Sequence, residues 1–218
     1  MVIALAIERR SLKDEVLDKV KKFIITGRYS PGQRIVIDSL ARELGVSVTP
    51  VREALHYLAA QGLLNIEPHR GFLVRRWSEK EIEDLLSLRC YLEKLAVRLF
   101  IERGYEENIG ILREKVDEMR IVFESGDVER MEKCNAEFHA IIVKGSGNEE
   151  LCRVVDSLSE KLHYVRIYSI SFPGRFEESF KEHMKIYEAI ERKDVALAEE
   201  RVEEHISNVQ KALLNRAK

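Results

Sequence analysis

The chain has 218 residues, 45% of them apolar and 34% charged, with a formal net charge of -2. Such a length and apolar share suit a globular chain with a sizeable core, and exclude a disordered or collagen-like one. Cys90, Cys134 and Cys152 lack CxxC spacing, which excludes a zinc ribbon or disulfide framework and predicts free intracellular thiols. No apolar run approaches the roughly 20 residues of a spanning helix. The opening MVIALAIERR is too short to span and lacks signal-peptide order, so the expectation is a cytoplasmic protein with no membrane partner. Charge is divided unevenly. Residues 1–76 hold 13 Lys+Arg against 8 Asp+Glu, and the remainder holds 23 against 30. A basic first domain over 1–76 joined to an acidic second over 77–218 suits a DNA binder with an attached sensor.

In chain order, Leu12, Val16, Val20 and Phe23 to Ile25 predict a first helix over about 12–27, with Gly27 as its stop. Pro31-Gly32 turns the chain into Arg34 to Ile37, and Asp38 is placed to cap the next helix. Leu40, Ala41 and Leu44 give that helix one apolar face, and Gly45 marks a sharp turn. Ser47 is placed to cap a further helix carrying Val51, Ala54, Leu55, Leu58 and Ala59, which Gly62 ends. Residues 64–67 alternate as a short strand, 68–71 turn, and Phe72-Leu73-Val74 returns. This order predicts a winged helix-turn-helix, whose second helix enters the DNA major groove N-terminus first. At that end Ser47 and Thr49 offer hydroxyls, Val48 an apolar contact for a thymine methyl, and Arg52 a bidentate fork. Arg70 and Gly71 at the wing tip are placed to reach backbone or minor groove.

Residues 75–77 form the expected linker, and Ser78 to Glu81 a capping box. Helices are predicted at about 79–103, 105–125, 127–144, 148–170, 176–192 and 194–215, punctuated by glycines and joined closely enough for an antiparallel six-helix bundle. The fold class is therefore mainly α. Helical spacing puts Asn135 inside the apolar arc of Met131, Cys134, Phe138, Ile141 and Ile142, with His139 at its edge. His183 falls within the arc of Phe176, Phe180, Tyr187 and Ile190, and His205 flanks Ala198, Val202 and Val209, whereas His163 falls off its helix's stripe. A lone inward histidine is ordinarily a hydrogen-bonded core residue. Three on three helices, with an amide one turn from the first, equally suit a shared metal. Arg89 and Glu93 both fall within the arc of Ile82, Leu85, Leu86, Ala96 and Phe100. They read either as a self-satisfying pair or as an effector clamp, Arg89 holding a carboxylate and Glu93 supporting it.

SVTPVREALHYLAAQGLL resembles the signature of GntR-family bacterial transcription regulators, with Val48 standing where most relatives have arginine. The run Asn135 to His139, then residues 145–148, Glu182-His183 and His205, is similar to the FadR C-terminal domain pattern. That resemblance implies a bundle holding a divalent transition metal, zinc or nickel, through an Asp and three histidines. Here these match Asn135, His139, His183 and His205, with an uncharged amide in the Asp position. The implied protein is not an enzyme. It is a homodimeric repressor that binds two-fold related half-sites of double-stranded operator DNA under control of a small carboxylate effector. A regulator that senses the metal itself, or a three-histidine metal hydrolase fused to a DNA-binding domain, are the alternatives.

Overall fold

The structure is a computed structural model that describes residues 11–25, 28–170 and 172–214. The opening apolar run, the end of the first helix at 26–27 and residue 215 lie outside the described residues. The chain divides into two compact units that meet in sequence between Arg76 and Trp77.

The first unit runs α1 (Leu12–Ile25), β1 (Arg34–Ile35), α2 (Ile37–Leu44), α3 (Val48–Ala60), β2 (Leu64–Glu67) and β3 (Gly71–Val74). Its core comes from Val16, Leu17, Val20 and Ile24 of α1, Leu40 and Ala41 of α2, and Val51, Ala54, Leu55 and Leu58 of α3. Leu12, expected on the buried stripe, is exposed because it occupies the first turn of α1. Gly45 takes the left-handed conformation (φ 66°, ψ 29°) that closes α2 and turns the chain toward α3.

Three local expectations are corrected. Asp38 does not cap α2. Val36 stands at the N-cap because strand β1 runs directly into the helix, and Asp38 sits in the first turn, where its charge favours the helix dipole. Ser47 occupies the N-cap of α3, but its hydroxyl makes no cap hydrogen bond. The hairpin is a three-stranded sheet, because β1 adds to β3 through Arg34↔Leu73 and Ile35↔Phe72. In the order β1-β3-β2 the central β3 buries Phe72, Leu73 and Val74, while edge strand β2 leaves Ile66 54% exposed.

The second unit contains α4 (Glu79–Leu99), a π-helical segment (Phe100–Gly104), α5 (Tyr105–Ser125), α6 (Val128–Gly145), α7 (Glu149–Ile170), α8 (Arg175–Glu191) and α9 (Val195–Leu214). Ser78 and Glu81 form a reciprocal capping box at the start of α4, with Glu81 N–H donating to Ser78 Oγ (3.2 Å) and Ser78 N–H to Glu81 Oε2 (2.9 Å). α4 packs on α9, α5 on α6, α8 on α9 and α6 on α7, which closes the bundle around one core. Ile82, Leu85, Leu86, Ala96 and Phe100 are buried together with Arg89 and Glu93. Ile141, expected inside the arc of α6, is half-buried.

The helix expected to run unbroken to 103 instead widens into the π segment, where backbone meets backbone. A Cβ on Gly104 would overlap the Gly145 carbonyl oxygen, and one on Gly145 would lie 2.6 Å from the Phe100 ring. Gly104→Ala is therefore expected to destabilise the protein by roughly 1–3 kcal/mol through overpacking. Gly110→Ala, on the open side of α5 with nothing within 4 Å, is expected to stabilise it by about 0.5–1 kcal/mol. Thermal denaturation followed by circular dichroism distinguishes the opposite signs; equal effects would contradict the close contact.

Candidate DNA-binding face and metal centre

At the start of α3, Ser47, Thr49 and Arg52 are exposed and Val48 is half-buried. The uncommitted Ser47 hydroxyl and the Arg52 side chain thus stand at the helix end that carries the positive dipole, a setting that favours phosphate. On the wing, Arg70 is exposed but pairs with Glu67 (2.8 Å), and Gly71 opens β3 in a left-handed conformation (φ 78°). His69 before them also has positive φ (63°), so the wing tip is a tight turn that a β-branched residue would strain.

Inside the second unit, α6, α8 and α9 each bury one histidine: His139, His183 and His205. One ring nitrogen from each lies within 4.8 Å of the others. The proton on each ring is placed by its neighbour. His205 Nδ1 lies 2.7 Å from Glu182 Oε2, and His183 Nδ1 lies 2.6 Å from the Ser179 carbonyl. His139 Nδ1 lies 3.1 Å from Glu93 Oε2, an oblique approach at ion-pair distance. A carboxylate and a carbonyl only accept, so Nδ1 carries the hydrogen and Nε2 offers a lone pair. The Nε2 atoms of His139 and His183 are only 3.1 Å apart. Among the described residues, the one donor reaching that point is Arg89 Nη2, 3.2 Å from His139 Nε2, which can satisfy a single lone pair. A cation between the imidazoles satisfies all of them.

Asn135 adds a second sign. Its Nδ2 donates to Ser179 Oγ (3.3 Å), while its buried Oδ1 accepts no hydrogen bond among the described residues. An orphaned buried acceptor beside three imidazoles fits a borderline transition metal such as zinc or nickel. These side chains line a small cavity of about 20 Å³, with Arg89, Arg166 and Glu132 completing its wall. Arg89 also donates from Nε to Glu93 Oε1 (2.6 Å), so the intrahelical pair and the approach to the histidines coexist.

Electrostatics favours the neutral form of two rings, His139 and His183. Burial drives the His139 imidazole down to about 4, Arg89 and His205 adding to the effect against Glu93. Burial and the two neighbouring imidazoles push His183 well below its usual range. Burial works against the Glu93 carboxylate, but Arg89 and His139 outweigh it and hold its pKa well below normal. Glu182 is likewise brought to about 2, with His205 and Arg175 overcoming its burial.

Several residues here had no assigned role in the sequence reading. Glu182, which orients His205, is itself held by Arg175 (2.9 and 3.0 Å) and by Asn208 Nδ2 (2.9 Å). The Arg175–Glu182 pair, though buried, lines a groove of about 620 Å³. The arc predicted for His183 is corrected. Tyr187 and Ile190 are buried with His183 as expected, but Phe176 and Phe180 are half-buried and stack on Phe123, and the first turns of the buried face carry Arg175, Ser179 and Glu182 instead. Their spacing, with His183, of four, three and one was the available signal: polar residues repeating on a helix's inner face. His163 stands apart from the cluster with Nδ1 3.2 Å from Glu132. A second acidic group, Glu118 and Glu137 near Cys134, already holds the Lys115 ammonium between its carboxylates, and burial raises the Cys134 thiol.

Fold and site together define a two-unit transcription regulator. Residues 12–74 match the bacterial regulatory proteins of the gntR family, and residues 84–208 match the FCD domain. The chain is 31% identical over 193 residues to the uncharacterized HTH-type transcriptional regulator YdhC of Bacillus subtilis (strain 168), covering 88% of this chain and 86% of that one. It is 30% identical over 207 residues to a probable D-xylose utilization operon transcriptional repressor of Paenarthrobacter nicotinovorans, covering 93% and 90%. The solved structure of E. coli McbR/YncC matches 96% of this chain and all of that one, with a TM-score of 0.68 at 25% identity. The protein belongs to the GntR family and carries an FCD domain. It is a regulator, which removes the fused-hydrolase alternative. No helix among the described residues is long and apolar enough to cross a membrane.

The buried rings set a pH dependence. An unfolded imidazole takes its proton near 6.5, but folded His139 does so only near 4, and His183 is also displaced well below its usual range. Acidification from 6.5 toward 4 therefore favours the unfolded chain, and above 6.5 this effect is flat. Glu182 adds stability that is full above its ordinary 4.5 and lost as pH falls toward 2. Denaturant midpoints of chelator-treated protein are expected to fall steadily as pH is lowered from 6.5 to 4. A constant midpoint would show that the imidazoles are not held neutral.

Proposed function

We propose that this protein is a repressor acting in the cytoplasm as a homodimer, each winged unit reading one half-site of a two-fold operator. A small organic acid bound at a divalent metal in the FCD bundle relieves or sets that binding. The observation that carries the reading is the convergence of three Nδ1-anchored imidazoles and the orphaned Asn135 oxygen in one cavity with Arg89.

Asn135, His139, His183 and His205 would hold the metal, zinc or nickel. When bound, the ion supplies positive charge and open coordination positions for a carboxylate oxygen. Because Asn135 brings no charge, the site keeps the ion's full positive charge, which suits an anionic effector. Arg89 supplies a guanidinium at the inner wall for the acid, and Glu93 keeps it aimed by occupying Nε. A cavity of about 20 Å³ admits no organic acid as it stands. Binding must therefore widen it, and that coupling of ligand to helix placement is what a regulator needs. On the DNA side, Ser47, Thr49 and Arg52 would contact phosphates and base edges, Val48 a thymine methyl, and Arg70 with Gly71 the backbone beside the wing.

Arg52→Ala is expected to weaken specific operator binding roughly 10- to 100-fold, the worth of one bidentate contact, with an unchanged circular dichroism spectrum. Fluorescence anisotropy at fixed salt measures it; unaltered affinity would defeat the docking of α3.

Elemental analysis of natively purified protein tests the interior. His183→Ala and His205→Ala are each expected to lose the bound metal, and His163→Ala to keep it. Loss of metal in all three would place the ion elsewhere. Operator binding with metal alone, and with metal plus organic acids, separates the acid-controlled regulator from one that senses the ion itself.

A further inference from the structure

The cavity wall holds a second arginine that the proposed function does not use. Arg166, on α7, lines it with Arg89 from α4, and their depths differ: the Arg89 side chain is 2% exposed, that of Arg166 19%. Their engagement differs more. Arg89 is engaged twice, through Nε on Glu93 and Nη2 on His139, while its Nη1 makes no hydrogen bond among the described residues. Arg166 makes one long side-chain hydrogen bond, Nε to Glu132 Oε1 at 3.4 Å, and that oxygen is shared with His163 Nδ1 at 3.2 Å. The planar Nη edge of its fork, four N–H donors, has no side-chain acceptor among the described residues.

Burial and the proximity of Arg89 lower the Arg166 guanidinium below its usual range, Glu132 opposing them only in part. A partly buried cation kept near another cation and weakly paired is costly unless an anion completes it. Glu132 is an incomplete partner, since His163 draws on the same oxygen. The surrounding charge points the same way. The wall carries two guanidiniums and one carboxylate, Glu132, and the amide of Asn135 adds no negative charge.

We infer that Arg166 is a second effector-binding residue, and that the effector is a dianion whose inner carboxylate meets Arg89 and the histidine cluster while its outer carboxylate takes the Nη edge of Arg166. This rests on the acid reading given above. On binding, Arg166 exchanges the long contact to Glu132 for a bidentate one to the ligand, and Glu132 keeps His163. That exchange also opens the cavity, because Arg166 and Glu132 form its more exposed side.

Calorimetry on the metal-loaded full-length protein tests the assignment with matched pairs: propanoate against malonate, butanoate against succinate, pentanoate against glutarate. At least one diacid is expected to bind roughly tenfold or more tightly than its monoacid, the worth of a charge-assisted bidentate contact. In Arg166→Gln that ratio is expected to collapse toward one while monoacid affinity stays within about threefold; in Arg89→Gln both acids should weaken. If Arg166→Gln does not fold, Arg166→Lys retains the charge without the fork and is expected to lose most of the ratio. Monoacids that bind with no diacid gaining on its partner would overturn the role of Arg166 and leave the acid reading standing. So would an Arg166 variant that keeps the full ratio. If neither kind of acid binds, the acid reading itself fails.

Discussion

The site depends on where three protons sit. His139, His183 and His205 each have Nδ1 turned to an atom that can only accept, and this fixes Nε2 as the inward lone pair on all three rings. The anchors come from different places: Glu93 on α4, the Ser179 carbonyl on α8, and Glu182, also on α8 but serving α9. His183 is anchored from within its own helix, whereas His139 and His205 take their anchors from a neighbouring one. Packing α4, α6, α8 and α9 into one bundle and orienting the donors are therefore the same event.

Burying so many polar groups does not by itself stabilise the fold. Ion pairs such as Arg89–Glu93 and Arg175–Glu182 lose hydration about as fast as they gain attraction, and a well-packed apolar core would serve stability as well. Their effect is on arrangement. Glu182 is grasped by both Nη atoms of Arg175 and by Asn208, so the oxygen that faces His205 has little freedom. The bulk of the bundle's stability rests instead on its apolar layer, including Phe100, Leu112, Val116, Met119, Met131, Phe138, Ile186 and Val202, all nearly inaccessible to water.

The helical period made the histidines and Asn135 visible as residues on apolar faces, because burial of a polar side chain conflicts with a simple two-sided helix. The same test exposed Arg89 and Glu93. It failed for Arg175, Ser179 and Glu182, since Phe176 and Phe180 on the neighbouring stripe suggested a different inner face. Those rings have Phe123 to cover them, a tertiary fact that α8 alone does not contain. The Glu132–Arg166–His163 group was equally hidden, being assembled from α6 and α7 across the cavity mouth. In the first unit, turn and strand chemistry were legible from Gly45 and residues 64–74. The short β1 was not, because a two-residue strand has no period of its own and exists only through β3. For the same reason Asp38 was misread as a cap.

The contact between Gly104 and Gly145 bears on how the bundle can respond. With no room for even one carbon atom there, the end of the π segment that follows α4 and the end of α6 are pinned like the two leaves of a hinge. They can swing about that point but cannot slide past one another. Arg89, Glu93, Asn135 and His139 all lie on those two helices, so they behave as one jaw. The opposite jaw is formed by α7, α8 and α9, and α7 is tied back to α6 through the short backbone link 146–148.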